Sequence, residues 1–496
     1  MGLIRSQASA ALAANYLGAA VGALNFIVLF PRFFSTEQIG LVRLLLSLSL
    51  VYTQVSQFGM VNALYKFYPA YRDDPPRLRA FIGRLYVWFA FGFAATTALY
   101  LWAKPWLVAL YREKSPLYAE YYPHLIPLCA ALTIFNVFEG FAAMKMRTVA
   151  SALVKELGLR LATTAAIGAY AAAWFDFETF VEVYVGLYAG AAAIQGFLAR
   201  RAGLEKPARL SALPKSEWRE IVRYGAYAMF STGAVLTMSN TDAIMLGAMV
   251  GLSATGVYGV YLAVATVVAI PARAVVRIAF PVVTRAFAQN DLAQIAVVYR
   301  KSVEVQSVAA LWVFALVWVN ADHLTALLKA PEYAREFPVF LWLGASFVVN
   351  AGFGINHYIL AAAPHYRYEL YLNVATLGLN IALNYAMIKI WGASGAAAAS
   401  AVSMSILNLT KWEVLRRFYG LQPFSRASLK PYAAFAPALA AALFAPALPW
   451  RVLDALWRAA LFSLIFGALC LATRAAPDFN AWLRETLRPK TQKQRP

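Results

Sequence analysis

Arg200-Arg201-Ala202-Gly203-Leu204-Glu205-Lys206-Pro207-Ala208-Arg209-Leu210-Ser211-Ala212-Leu213-Pro214-Lys215-Ser216-Glu217-Trp218-Arg219-Glu220-Ile221-Val222-Arg223 is the stretch on which the reading of this chain turns. It carries seven basic and three acidic side chains, near the midpoint of 496 residues. Long apolar runs flank it on both sides. Such a segment reads as a cytoplasmic connection between two membrane-embedded bundles, with Pro207 and Pro214 limiting its helical reach.

The composition outside this stretch is mostly hydrocarbon. The chain is 61% hydrophobic and 14% charged, with a mean hydropathy of +0.59. A soluble domain carries about 25% charged residues. Apolar runs of about 20 residues, each enough to cross a hydrocarbon layer of about 30 Å, recur throughout. The expected fold is therefore an all-α polytopic membrane protein of about 14 transmembrane helices. The spans fall roughly at 9–30, 39–60, 82–103, 121–144, 152–174, 178–199, 222–250, 256–280, 303–321, 336–362, 368–390, 394–416, 431–449 and 455–474. Breakers such as Pro31, Pro75-Pro76, Pro116, Pro331, Gly392 and Pro423 mark their joints. Cys129 and Cys470 both lie inside apolar runs and read as small core residues.

Charge fixes the orientation. With the N-terminus in the cytoplasm, 34 Lys/Arg fall on the cytoplasmic side and nine outside, leaving Arg43 within a span. That asymmetry is what membrane topology requires. It accounts for the net charge of +20 without any nucleic-acid partner. The expected organisation is an N-terminal six-helix lobe (1–199), a cytoplasmic linker (200–222), a second six-helix lobe (223–417), two further membrane helices (418–476) and a basic cytoplasmic tail (477–496). The tail is suited to an anionic leaflet of membrane lipids.

The two lobes show a weak parallel repeat. Phe34-Ser35-Thr36-Glu37-Gln38-Ile39-Gly40 joins spans 1 and 2, and Leu252-Ser253-Ala254-Thr255-Gly256 joins spans 7 and 8. In each, a long helix meets a very short outer turn, and a glycine opens the next helix. Gly256 follows Gly40 by 216 residues. Two bundles related about the membrane normal are a standard plan for secondary transporters.

No hydrolytic, redox or metal-binding constellation appears. The histidines are scattered, and there is neither a phosphate-binding glycine loop nor a nucleophile elbow. The expectation is a non-enzyme without a cofactor or metal, driven by a gradient. Ionisable residues inside spans are costly unless they face a wet cavity or a partner. Arg43, Arg273, Arg277 and Arg160 are the basic ones. Arginines facing a shared cavity suit a diphosphate through their forked donors, although the same residues can serve as interface anchors or pair locally, as Glu156 with Arg160. Thr237, Ser239, Asn240, Thr241 and Asp242 form a polar run in span 7. Asn240 and Asp242, with Glu139 in span 4, are candidates for a coupling ion, Na+ or H+. Asn15 and Asn25 are placed to face the span-7 run, which reads equally as inter-helix hydrogen bonding.

Further on, Leu372-Asn373, Leu379-Asn380 and Leu383-Asn384 precede Ile390-Trp391-Gly392-Ala393-Ser394-Gly395-Ala396-Ala397. This asparagine-rich helix, glycine turn and small-residue helix resembles the Wzx-type polysaccharide flippases. These belong to the multidrug/oligosaccharidyl-lipid/polysaccharide (MOP) exporter superfamily. Glu37 to Arg43, opening the second span, resembles the same proteins. The resemblance implies two six-helix lobes around a central cavity with alternating access. The implied substrate is an undecaprenyl-diphosphate-linked oligosaccharide, moved to the outer leaflet of a bacterial inner membrane by a monomer. A polysaccharide polymerase and glycosyltransferases are the implied partners. The family's cationic cavity maps by position onto Arg43, Arg273 and Arg277. The rivals are a cation-coupled multidrug exporter, a lipid II flippase and a non-transporting membrane scaffold. The first of these predicts an acidic rather than a basic cavity.

Overall fold

The computed structural model describes residues 14–145, 148–204, 213–473 and 475. Residues 205–212 of the central segment and the basic tail at 477–496 lie outside them. The described chain is helical, with no strand among the described residues. In chain order the long helices are α1 (Ala14–Phe33), α2 (Thr36–Gln57), α3 (Pro75–Trp102), α4 (Pro116–Met144), α5 (Leu159–Ala171), α6 (Phe177–Arg201) and α7 (Lys215–Met249). They continue with α8 (Leu252–Ala288), α9 (Leu292–Trp318), α10 (Phe337–Gly352), α11 (Arg367–Tyr419), α12 (Arg426–Leu443) and α13 (Arg451–Thr473).

Over its described residues, each of the fourteen expected spans falls on one of these helices. By length and apolarity alone, nine helices among the described residues suit a membrane crossing, or ten when α10 and the bent continuation Asn356–Ala362 count together. The difference has physical sources. α11 is 53 residues long and holds two expected spans, broken at Gly392, whose φ of 56° is non-helical. α5 is shortened by a π-helical stretch at Leu153–Gly158. The polar run of α7 and Lys430, Pro431 and Pro437 in α12 lower the apolarity of those helices.

Local chemistry sets the helix starts. Ser35 caps α2: its hydroxyl accepts from Gln38 N–H, and the Gln38 side chain accepts from Ser35 N–H at 2.9 Å. Asp74 caps α3 before Pro75-Pro76, Asp176 caps α6, and Asp291 caps α9. After Gly392 the chain returns so closely that a Cβ on Gly395 would stand 2.0 Å from the Met387 carbonyl oxygen. That contact explains why small residues follow the turn.

By contact the chain forms two compact units. One runs to Val260 and takes in Leu377–Ala396; the other comprises Tyr261–Thr376 and the chain from Ala397 onward. In the first unit α2 packs against α3, α4 and α7, and α6 lies along α4. Thus α7, which the sequence places at the head of the second lobe, runs along α2. Its start is tied down by Glu217, which accepts from the Tyr71 hydroxyl at 2.9 Å and pairs with Arg77. A core of Met60, Leu64, Phe81, Leu85, Phe141, Leu213 and Ile221 closes this end. In the second unit α9 packs against α8, α10 and α12, and α12 against α13. Val283, Tyr299, Ile359, Leu360 and Leu415 are buried together there. Cys129 and Cys470 are buried free thiols.

Candidate functional site

The expected repeat becomes a physical contact at the start of α2 and α8. A Cβ on Gly40 would meet the Leu252 carbonyl oxygen at 1.9 Å, and a Cβ on Gly256 would meet the Thr36 carbonyl oxygen at 2.0 Å. Leu252 is the repeat equivalent of Thr36, as Gly256 is of Gly40. The contact is reciprocal, as a two-fold relation between equivalent segments demands. The Thr36 and Ser253 hydroxyls join across it at 2.8 Å. Only glycine permits this approach of two backbones, in the manner of small-residue helix contacts in membranes.

One turn further in, the symmetry is broken. Gly259 is the repeat equivalent of Arg43, and the Arg43 stem lies over it, with Cγ 3.3 Å from where a Cβ would stand. The small residue on one helix makes room for the large cation on the other. Arg43 Nε is buried and has no hydrogen-bond partner. Asp242, Tyr258 and Tyr184 lie within electrostatic reach of the guanidinium. Asp242, only 4% exposed, accepts from the Tyr258 hydroxyl and from Asn384 Nδ2 at 2.9 Å. Tyr184, also buried, meets Tyr188 at 3.2 Å. Four helices of the first unit therefore contribute to one buried polar cluster, α2, α6, α7 and α8, together with the Leu377–Ala396 part of α11.

The structure thus joins two residues that the sequence proposed for different roles, Arg43 for substrate and Asp242 for the ion. The other candidates lie elsewhere. Asn240 is buried two positions before Asp242 on α7, and its amide donates to the Leu236 carbonyl. Glu139 pairs with Lys155 at 2.9 Å, and Arg160 pairs with Glu156 at 2.7 Å. Asn25 does not face the α7 run: it donates to the Arg160 carbonyl at 3.0 Å and accepts from Thr164 at 2.7 Å, binding α1 to α5. Gly22 makes room for the Arg160 guanidinium in the same contact. These pairings give Glu139 and Arg160 local partners within the first unit. Arg273 and Arg277 belong to the second unit, where both are exposed one turn apart on α8.

Sequence reasoning missed Tyr258, Tyr184 and the role of Asn384. Asn384 had a signal, since it stands in the asparagine series of α11. Tyr258 and Tyr184 had none, because tyrosines are common at helix ends and nothing in the spacing aims their hydroxyls.

A fold of long apolar helices holding a buried polar cluster of Arg43, Asp242, Tyr184, Tyr258 and Asn384 defines a class, the multi-pass membrane proteins of transporter architecture. Residues 5–288 match the family described as "Polysaccharide biosynthesis protein", and the chain belongs to that family. Among solved structures, the lipid II flippase MurJ in an inward closed conformation aligns with a TM-score of 0.77 at 9% identity, covering 96% of this chain and 99% of that one. An inward-facing multidrug resistance MATE family transporter of the MOP superfamily aligns with a TM-score of 0.63 at 11% identity, covering 82% and 94%. The fold is therefore that of the MOP transporters. No curated protein matches the sequence.

Proposed function

We propose that this protein is a flippase for an undecaprenyl-diphosphate-linked oligosaccharide, working by alternating access in a bacterial inner membrane with both termini in the cytoplasm. The observation that carries this reading is Arg43, a guanidinium inside an apolar span with its Nε donor unspent. Moving a diphosphate through hydrocarbon is costly, and a forked cation in a polar interior offsets that cost. The family's role in polysaccharide biosynthesis supports the substrate class. Asp242 counterbalances Arg43 when no phosphate is present, and its hydrogen bonds to Tyr258 and Asn384 hold it in place. Asp242 is also the best residue for a coupling Na+ or H+.

The experiment is export of surface glycan by variants with verified membrane levels. Arg43→Ala removes glycan export entirely, and Arg43→Lys, which keeps charge but not the fork, restores only a part. Asp242→Asn abolishes the dependence of export on the ion gradient. Full export by Arg43→Ala would overturn the cationic-interior reading. Export of cationic drugs, rather than glycan, would instead favour the multidrug exporter.

A further inference from the structure

The first unit holds four charged side chains inside expected spans that the diphosphate site does not use. Glu139 stands on α4, Lys155 and Glu156 on the π-helical turn Leu153–Gly158, and Arg160 at the start of α5. They form two ion pairs. Lys155 Nζ meets Glu139 Oε2 at 2.9 Å, and Arg160 Nη2 meets Glu156 Oε2 at 2.7 Å. All four side chains are between 30% and 42% exposed. Ionised groups so exposed are costly against hydrocarbon, so the face they line is a wet one.

Neighbouring residues hold the two pairs in place. Arg160 is pinned from α1: its Nη1 lies 3.0 Å from where a Cβ on Gly22 would stand, and its carbonyl accepts from Asn25. The Lys155 ammonium stands 5.6 Å from the centre of the Phe135 ring. Val154 and Leu159, on either side of the charged turn, pack with Phe135 and Tyr188 around Ala131, Ala191 and Ala192. Tyr65 lies within electrostatic reach of Glu139, its hydroxyl 3.8 Å from where a Cβ on Gly140 would stand. Tyr188 lies within reach of Arg160, and its hydroxyl meets that of Tyr184 at 3.2 Å. Tyr184 in turn lies within reach of Arg43. The face therefore adjoins the Arg43 cluster across two tyrosines, one turn apart on α6.

Its chemistry differs from that of Arg43. Two cations and two carboxylates sum to zero charge, so the face exerts no net pull on a phosphate. It presents donors beside acceptors instead. An ammonium carries three donors, a guanidinium five, and carboxylates only accept. A hydroxyl does both, donating one bond and accepting two. Neighbouring hydroxyls of a sugar ring match such alternating groups. Tyr65, 40% exposed, adds a hydroxyl and an apolar ring on which the C–H face of a sugar can pack. We infer that Glu139, Lys155, Glu156 and Arg160, with Tyr65 and Tyr188, form a saccharide-binding face that takes uncharged sugar residues. The inference rests on the flippase reading for its ligand. In that substrate the first sugar is bonded directly to the diphosphate, so a saccharide face has to adjoin the phosphate site, as this face adjoins Arg43.

The test uses the full-length protein purified in detergent. The probe is the oligosaccharide freed by mild acid from the host's lipid carrier, which has neither phosphate nor lipid. Saturation-transfer difference NMR reads weak binding of such a sugar directly. Wild-type protein is expected to transfer magnetisation to the sugar ring protons. Glu139→Leu with Lys155→Met, and Glu156→Leu with Arg160→Met, each replace a whole ion pair by apolar groups of similar volume, a change that folded proteins commonly tolerate. Each double variant is expected to lose the signal, and Gly186→Ala to keep it. A full signal from either folded double variant overturns the inference. So does the absence of signal from wild-type protein, which needs no variant to fold. The probe carries nothing for Arg43 to bind, so the two readings fail separately. A wild-type sugar signal beside full glycan export by Arg43→Ala sinks the cationic interior and leaves the saccharide face standing. No wild-type signal beside export lost in Arg43→Ala does the reverse.

Discussion

At the scale of single residues, the pairing of Arg43 with Gly259 is the most informative feature. The sequence identifies Arg43 because a charge within an apolar span is costly. It gives no hint that the equivalent position in the repeat is vacant so that this side chain fits. The Arg43 Cγ, Cδ and Cβ atoms stand 3.3, 3.6 and 3.7 Å from the position of a Gly259 Cβ. A methyl group there needs only a small shift of a flexible stem, whereas an isobutyl group occupies the stem's own volume. Gly259→Ala is expected to retain most glycan export, and Gly259→Leu to lose it as fully as Arg43→Ala. Gly186→Ala, where a Cβ meets nothing within 4 Å, serves as the control and exports normally. Glycan measured at matched membrane levels decides this, and full export by Gly259→Leu would show that Arg43 works from another position.

Helices and their contacts were more legible than side-chain partners. The break at Gly392 was readable because glycine alone combines a stop with a positive φ between two apolar runs. The spans were readable because hydropathy integrates over many residues. Lys411 was counted on the cytoplasmic side from sequence, and only packing adds that it is buried. Asn25 looked like a residue for the α7 run because polarity in a span has no direction until neighbouring helices are placed. The glycine pair at Gly40 and Gly256 yields an element-scale prediction. Adding a methyl at either position forces the starts of α2 and α8 apart, since each Cβ meets a rigid carbonyl. Overpacking of this kind costs about 1–3 kcal/mol. Gly40→Ala and Gly256→Ala should each lower the thermal unfolding midpoint in detergent. The double variant should lose less than the sum, because one displaced interface serves both. Strict additivity would mean that the two glycines do not share a contact.

For the whole molecule, the repeat is what turns an inventory of helices into a machine. Its sequence signal is only a few residues long, and the structure adds that the equivalent segments meet: Thr36 through Gly40 against Leu252 through Gly256, each contacting the counterpart of the other. Substrate passage between two repeat-related bundles requires that contacts on one side of the membrane part while those on the other close. On the proposed flippase reading, with the N-terminus in the cytoplasm, the turns after α1 and α7 lie on the outer side, and this contact is then one that opens to release glycan outward. The hydroxyls of Thr36 and Ser253, 2.8 Å apart, mark where a covalent link can be placed. Thr36→Cys with Ser253→Cys should form a disulfide under oxidising conditions, since paired sulfurs need only short Cβ separations. The oxidised double variant is expected to export no glycan, and reductant should restore export. Each single cysteine variant should export normally under both conditions. If the cross-linked protein exports at the full rate, the starts of α2 and α8 stay joined through the cycle, and the opening must be sought elsewhere in the fold.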